Sequence, residues 1–191
     1  MSNYVVIADV GDTLRKLLWE SMRHDPKIYP AIIDSEDDIT LSSPQDNSEA
    51  GKLSLFLYQV SQNPFLKNKE MQGIGPESLR YPPTILDLFY LITPLADERK
   101  KDHILVGKVI QVFHDNAIIK GSGLVGSLEG TIEELRVVMH TLPFDQLLQL
   151  WQSFSEKSFT LSVCFQVTPV KIDSSRETET RRVIYEQAIE K

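Results

Sequence analysis

The chain has 191 residues, of which 41% are hydrophobic and 25% are charged, and these values are typical of one globular domain with a sizeable core. Its formal net charge of -7 argues against non-specific binding to nucleic acid or to an anionic membrane. The single cysteine, Cys164, excludes an internal disulfide and a metal site built from several cysteines.

The first third of the chain predicts one helix and several strands. Apolar residues recur at helical spacing over residues 5–22, which predicts a long amphipathic helix. Short strands are expected at residues 31–33 and 39–42, on either side of an acidic loop. Residues 52–61 predict a longer strand that is apolar on both faces. One of its faces would carry Leu53, Leu55 and Leu57, and the other Phe56, Tyr58 and Val60.

The apolar run at residues 81–94 predicts the strand around which the domain is built. Prolines flank the run on both sides, which disfavours a helix, and a short apolar run between such breakers is typical of a strand buried on both faces. Its one charged residue, Asp87, requires a partner or access to water. The loop that joins this run to the preceding strand is long, so we expect the two strands to be antiparallel.

The second half of the chain predicts two more helices and two more strands. Residues 97–113 form a helix with a broad apolar face, and a short helix starts after Pro143. Residues 133–140 predict a third long strand. Residues 159–167 alternate apolar and polar side chains, which predicts a strand with one buried face.

These elements predict an α+β fold with a mixed, mostly antiparallel sheet and two or three helices packed on it, because consecutive strands lack regular helical crossovers. The composition becomes charged and threonine-rich from Asp173 onwards. We therefore predict a single domain over residues 1–174 and a C-terminal arm over residues 175–191, which has too few apolar residues to fold alone.

The sequence offers little support for catalysis. Residues 121–126 read Gly-Ser-Gly-Leu-Val-Gly and match the G-x-G-x-x-G string, but the string should open a helix, and Gly130 interrupts one almost at once. The four histidines share no metal-ligand spacing, and no nucleophile motif occurs. We therefore predict no catalytic, cofactor-binding or metal-binding residues. A nucleotide-binding enzyme that uses the loop at residues 121–130 stays open as an alternative, as does a generic adaptor domain.

Several sequence blocks, taken in order, resemble the cap or tube-terminator proteins of phage-tail-like contractile injection systems. The blocks cover nearly the whole chain, from about residue 4 to residue 174. They are Leu55-Phe56-Leu57-Tyr58-Gln59-Val60 with Asn63-Pro64 and Lys67-Asn68, Pro82-Pro83 with Leu86-Asp87-Leu88 and Tyr90-Leu91-Ile92-Thr93-Pro94, Leu105 to Gly107 with Gln111-Val112 and His114-Asp115, Glu134-Leu135-Arg136 with Phe144 to Trp151, and Leu161-Ser162-Val163 with Gln166-Val167.

The resemblance implies a fold like that of phage tail terminators and a structural function without catalysis or cofactor. It implies a homo-hexameric ring that sits on the end of the inner tube, stops its growth and anchors the last layer of sheath protein. It implies no nucleic acid partner.

We expect a protein made in the cytoplasm of the producing cell, located at one end of the assembled particle. The chain has no apolar run long enough to span a bilayer and no leader before its first helix, so membrane insertion is not expected.

A ring needs one patch of each copy to meet a different patch of the next, and long loops and a terminal arm are suitable for this. We therefore expect partner contacts in the loop at residues 63–79 and in the C-terminal arm. The candidate contact residues are Asn63, Lys67, Asn68, Lys69, Arg181, Arg182 and Tyr185.

Overall fold

The structure is a computed structural model that describes residues 3–46, 51–67, 70–74, 78–154 and 158–179. Three α-helices form where the sequence predicts them, and most of the buried apolar residues of the two long helices belong to the main core. They are α1 (Val6–Met22), α2 (Arg99–Asp115) and α3 (Phe144–Gln152).

Six of the strands form one main sheet in the order β1-β2-β5-β8-β7-β6. Only β1 and β2 run parallel, and the other neighbouring pairs are antiparallel. The predicted mixed, mostly antiparallel sheet with packed helices is therefore confirmed. Its strands are β1 (Ile39–Thr40), β2 (Leu53–Gln62), β5 (Thr84–Pro94), β6 (Ile118–Lys120), β7 (Glu134–His140) and β8 (Val163–Ile172).

The remaining strands form a small three-stranded sheet in the order β3-β4-β9. Because β4 leads directly into β5, and β9 follows β8, the small sheet prolongs the central β5–β8 ladder beyond the main sheet. Residues 177–179 of the predicted arm thus form an edge strand. The division into a domain and an arm at residue 174 stays a prediction, and residues 180–191 lie outside the described residues. The small sheet consists of β3 (Gln72–Gly73), β4 (Ser78–Arg80) and β9 (Glu177–Glu179).

Strand β5 is buried on both faces, as the sequence predicts. On one face, Leu88, Tyr90 and Ile92 contact the main core formed with α1 and α2. On the other face, Leu91 belongs to a second cluster with Trp151 and Phe154 at the end of α3. The two clusters explain why the alternate positions of this strand are both apolar.

Two expectations for β8 are wrong. The strand begins at Val163 rather than at residue 159, and it continues to Ile172. Both of its faces are covered, because Cys164 packs in the second cluster while Phe165 packs in the main core. A proline is usually excluded from the interior of a central strand, because it has no N–H to donate. Here Thr168 and Pro169 together lie opposite Asp87 in a β-bulge, where the missing N–H is tolerated.

A second β-bulge changes the faces of β2. Leu57 pairs with Tyr90, but the next pair joins Gln59 to Phe89, so Tyr58 is an extra residue. After the bulge, Val60 pairs with Leu88 and lies on the main-core face, opposite to the face that simple alternation predicts. The sequence pattern around Tyr58 contains no proline or glycine that would indicate this shift.

The strand expected at residues 31–33 is also wrong. Ile32 and Ile33 are buried, but both donate their backbone N–H to the carbonyl oxygen of Ile28 in consecutive turns. The strand expected at residues 39–42 is confirmed only in its first half, as β1.

The glycine-rich loop folds into two single turns of 3-10 helix, Gly121–Gly123 and Gly126–Leu128. The second turn packs on the start of α1, where the Asp9 carboxylate accepts hydrogen bonds from the backbone N–H and the hydroxyl of Ser127. Leu124 and Leu128 are buried in the main core. The loop therefore opens no α-helix of the kind that holds a pyrophosphate, and its geometry does not fit dinucleotide binding.

The loop allows a matched test of packing against backbone strain. Gly126 and Gly121 both have φ near +60°, but an added Cβ at Gly126 would overlap the Asp9 carboxylate, whereas at Gly121 it would meet no atom within 4 Å. We expect Gly121→Ala to lower the free energy of unfolding by about 1 kcal/mol, from backbone strain alone. Gly126→Ala should lower it by about 3 kcal/mol, because overpacking adds to the strain. Equal losses in urea denaturation would contradict this account of the loop.

Candidate assembly surface

The end of the main sheet where β2 finishes and β5 begins carries the candidate assembly surface. Residue pairing places Gln62 beside Leu86 and Thr84 beside Ile172, so three strands reach this end together. The small sheet extends from the same end. We call this region the loop end, and it comprises residues 63–67 and 130–133 together with the three-stranded sheet.

A buried hydrogen-bond cluster holds the loop end to the sheet. The carboxylate of Asp87 accepts one hydrogen bond from the amide Nδ2 of Asn63 at 2.9 Å and another from the hydroxyl of Thr168. Asp87 and Asn63 are only 5% and 8% exposed. Asp87 is therefore a hydrogen-bonded structural carboxylate, and the cluster joins the end of β2 to β5 and β8.

Asn63 also fixes the turn that follows β2. Its side-chain Oδ1 accepts the backbone N–H groups of Phe65 at 3.0 Å and Leu66 at 3.1 Å, while its own N–H donates to the carbonyl oxygen of Ile85. Asn63 was a candidate contact residue, but the structure places its side chain inside the protein. It positions the turn, and the turn presents Phe65, whose side chain is 91% exposed.

The loop end carries several exposed apolar side chains. Ile132 is 98% exposed, and Leu66, Met71 and Ile74 are each about 40% exposed. Two contacts hold the Ile132 loop: the hydroxyl of Thr131 donates to the carbonyl oxygen of Leu128, and Glu133 forms an ion pair of 2.6 Å with Lys171. Apolar side chains grouped on a fixed surface are typical of protein–protein contact sites.

The small sheet is tied together by charged and aromatic contacts. Arg80 of β4 forms an ion pair of 2.8 Å with Glu177 of β9. Beside it, the guanidinium of Arg176 lies 4.5 Å from the centre of the Tyr81 ring, which is a cation–π arrangement. The first described part of the predicted arm is thus packed against the domain.

The structure places the other candidate contact residues only in part. Lys67 lies at the loop end and is exposed. Asn68 and Lys69 lie outside the described residues, as do Arg181, Arg182 and Tyr185. Sequence reasoning missed Phe65 and Ile132, although each is a large apolar residue within a polar, turn-forming stretch, which is the signal that could have found them.

The described residues contain no arrangement that suggests catalysis. Burial raises the pKa of the Cys164 thiol, which therefore stays protonated and is a poor nucleophile. No group of three or more His, Cys, Asp or Glu side chains in the described part of the chain is placed to hold a metal ion. No helix among the described residues is long and apolar enough to cross a membrane.

The Asp87 cluster generates a stability prediction. We expect Asp87→Ala to lower the free energy of unfolding by about 3 kcal/mol, because two buried donors lose a charged acceptor. Asp97→Ala removes an exposed carboxylate that lies 3.5 Å from Lys52, and it should change stability by less than about 0.5 kcal/mol. Hydrogen exchange should also show faster exchange of the Phe65 and Leu66 amides in Asp87→Ala. Unchanged exchange there would contradict the positioning role of Asn63.

The fold is similar to solved structures of tube-terminating proteins. The chain aligns over 100% of its length with the sheath/tube terminator, in the extended state, of PVC, an extracellular contractile injection system, with a TM-score of 0.67 and 17% identity. It aligns over 95% of its length with the tube-terminating cap of the anti-feeding prophage, with a TM-score of 0.64 and 18% identity. The chain spans 65% and 60% of those two chains.

No curated protein sequence matches the chain. A match to a protein-family model shows the family instead. The match begins within the first turn of α1 and covers all of the strands. By this match of residues 9–186, the chain belongs to the Pvc16 N-terminal domain family.

Proposed function

We propose that this protein is a structural cap of a contractile injection system, which ends the inner tube and anchors the last layer of sheath. The observation that carries the proposal is the full-length fold match to a sheath/tube terminator, together with membership of the Pvc16 N-terminal domain family. The second match, to a tube-terminating cap, supports the same function.

The proposed working form is a homo-hexameric ring with the inner tube protein and the sheath protein as partners. A ring requires a heterologous contact, in which two different patches of the same chain meet and the rotation closes. The loop end supplies one patch, since Asn63 holds Phe65 and Leu66 on a fixed turn. The protein acts after synthesis in the cytoplasm, at one end of the particle, and it acts by binding rather than by catalysis.

The nucleotide-binding alternative receives no support from the described residues. The loop at residues 121–130 is filled by its own leucines and by contacts with α1, as described above. A generic adaptor domain remains compatible with the fold, but no feature of the structure favours it over a cap.

The direct test is electron microscopy of injection particles from cells that lack this protein. A cap that stops growth predicts tubes of uncontrolled length or tubes without a complete sheath. Complementation with the intact gene should restore uniform particles. Normal particles in its absence would refute the proposal.

Phe65 provides a residue-level test of the loop end. We expect Phe65→Asp to reduce the fraction of capped tubes at least about tenfold, because a charge replaces an apolar contact that recurs in every copy of the ring. Phe65→Leu should keep most of the capping, since it keeps an apolar side chain. Both variants should retain the unfolding midpoint, because the native side chain is 91% exposed. Normal capping by Phe65→Asp would exclude Phe65 from the contact.

Replacing Lys67, Asn68 and Lys69 together by Ala tests the polar part of the same loop. If these residues contact the tube or a neighbouring copy, we expect weaker tube binding with unchanged stability, and the measurement is co-sedimentation with assembled tubes. Unchanged co-sedimentation would limit the contact to the apolar residues of the loop end.

A further inference from the structure

Among the described residues, strand β2 has an open edge over most of its length. On one side it pairs with β5 along its whole length, but on the other side β1 pairs only with Leu53 and Ser54. No described residue forms strand pairing with Leu55–Gln62 on that outer side. The backbone groups directed outward from these eight residues are therefore available to another strand.

An apolar groove lies beside the first part of this open edge on the main-core side. It is lined by Tyr4, which precedes α1, by Ile7 and Ala8 of α1, and by Leu41, Leu55 and Leu57 from the sheet side. Strand addition uses both of these features, since the edge supplies hydrogen bonds and a groove accepts alternate side chains. Tyr4, at 82% exposure, forms an uncovered rim of the groove.

Apart from the β-bulge at Tyr58, the edge lacks the charges and prolines that normally protect an exposed strand. Residues 55–62 read Leu-Phe-Leu-Tyr-Gln-Val-Ser-Gln, without a charged side chain and without proline. A long edge without charges or proline tends to aggregate unless a partner covers it. This composition therefore favours an edge that is occupied in the assembled protein.

We infer that the occupant is the C-terminal segment of a neighbouring copy, with Val183, Tyr185 and Ile189 directed into the groove. Their sequence positions have the same parity, so a strand formed by this segment would carry all three side chains on one face. Residues 180–191 contain no proline, and the two arginines, Arg181 and Arg182, precede the apolar positions. The inference deepens the ring proposed above and rests on it.

Chain length shows why the donor is a neighbouring copy. Strand β9 runs outward and ends at Glu179, which pairs with Ser78, and Ser78 is eight residues outward from the Leu86 that pairs with Gln62. Along the strands this distance is about 26 Å. Val183 follows Glu179 by four residues, which span about 14 Å at most. Ile189, the last of the three, follows Glu179 by ten residues, which span about 35 Å at most. Leu57, in the groove, pairs with Tyr90, which is twelve residues from Ser78, or about 40 Å along the strands. None of the three apolar residues can therefore return to the groove of its own copy along this path.

Disulfide trapping between two full-length variants tests the inference. One partner carries Gln59→Cys or Ser61→Cys on the open edge, and the other carries Ile184→Cys or Tyr185→Cys, so that both faces of the added strand are sampled. The two variants are mixed and mildly oxidised. We expect at least one combination to give at least about ten times more cross-linked dimer than a control with His103→Cys, an exposed position on α2. Each variant keeps Cys164, which is 5% exposed, and the unmodified chain gives the background.

A second full-length variant, Tyr4→Lys, places a charge on the rim of the groove. We expect it to raise the dissociation constant for self-association about tenfold or more, whereas His103→Lys should leave it unchanged. Circular dichroism checks that both variants fold.

Rings that form without any trapped pair and that tolerate Tyr4→Lys would overturn the inference while leaving the cap function intact. Trapped pairs in a protein that fails to cap tubes would overturn the function and leave the inference intact. Absence of self-association at high concentration and on tube ends would overturn the inference.

Discussion

Burial of β5 on both faces is the constraint on which the rest of the fold depends. A strand whose alternate side chains are all apolar must have layers above and below it, or one face would stay in water. Helices α1 and α2 cover one face, and α3 with Trp151 and Phe154 covers the other. Since β5 also has a strand on each side, its position is fixed in every direction, and the loops at its ends start from fixed points.

Asp87 carries this rigidity from the core to the surface. A carboxylate in an apolar strand is costly unless its hydrogen bonds are satisfied, and here Asn63 and Thr168 satisfy them. The same Asn63 side chain holds the backbone of the Phe65 turn through its other atom. A buried polar group thus sets the geometry of an exposed apolar side chain, so a change at Asp87 affects both the stability of the fold and the surface that Phe65 presents.

The sequence predicted the long, periodic elements correctly, because their patterns arise from burial of whole faces. It failed where one residue interrupts a pattern. The extra residue at Tyr58 moves Val60 to the other face of β2, and the bulge opposite Asp87 allows β8 to continue through Pro169. Both effects depend on pairing between strands distant in sequence, which a local pattern does not contain. The small sheet was also missed, because its strands are only two or three residues long and pair with residues distant in sequence.

The contact region stays a prediction, but the structure shows that polarity alone misjudged which of its side chains are exposed. The loop after β2 was expected from its turn-forming composition, but the polar residue at its start proved to be internal and the apolar residue beside it proved to be exposed. A polar side chain is not necessarily exposed, because it can be buried when a buried hydrogen-bond acceptor lies close to it. The correct assignment needed the position of Asp87, which is 24 residues away from Asn63.

The two edges of the main sheet differ, and this difference affects how copies of the protein can associate. The β6 edge is three residues long and carries Lys120, and a short, charged edge resists strand pairing. The β2 edge is longer and carries no charged side chain, although a β-bulge interrupts it at Tyr58. An association that used two like edges would produce a closed pair, whereas an association between unlike surfaces repeats in one direction and closes as a ring when the rotation permits. The asymmetry of this sheet therefore favours a directional contact, which is the kind that a cap on a tube requires.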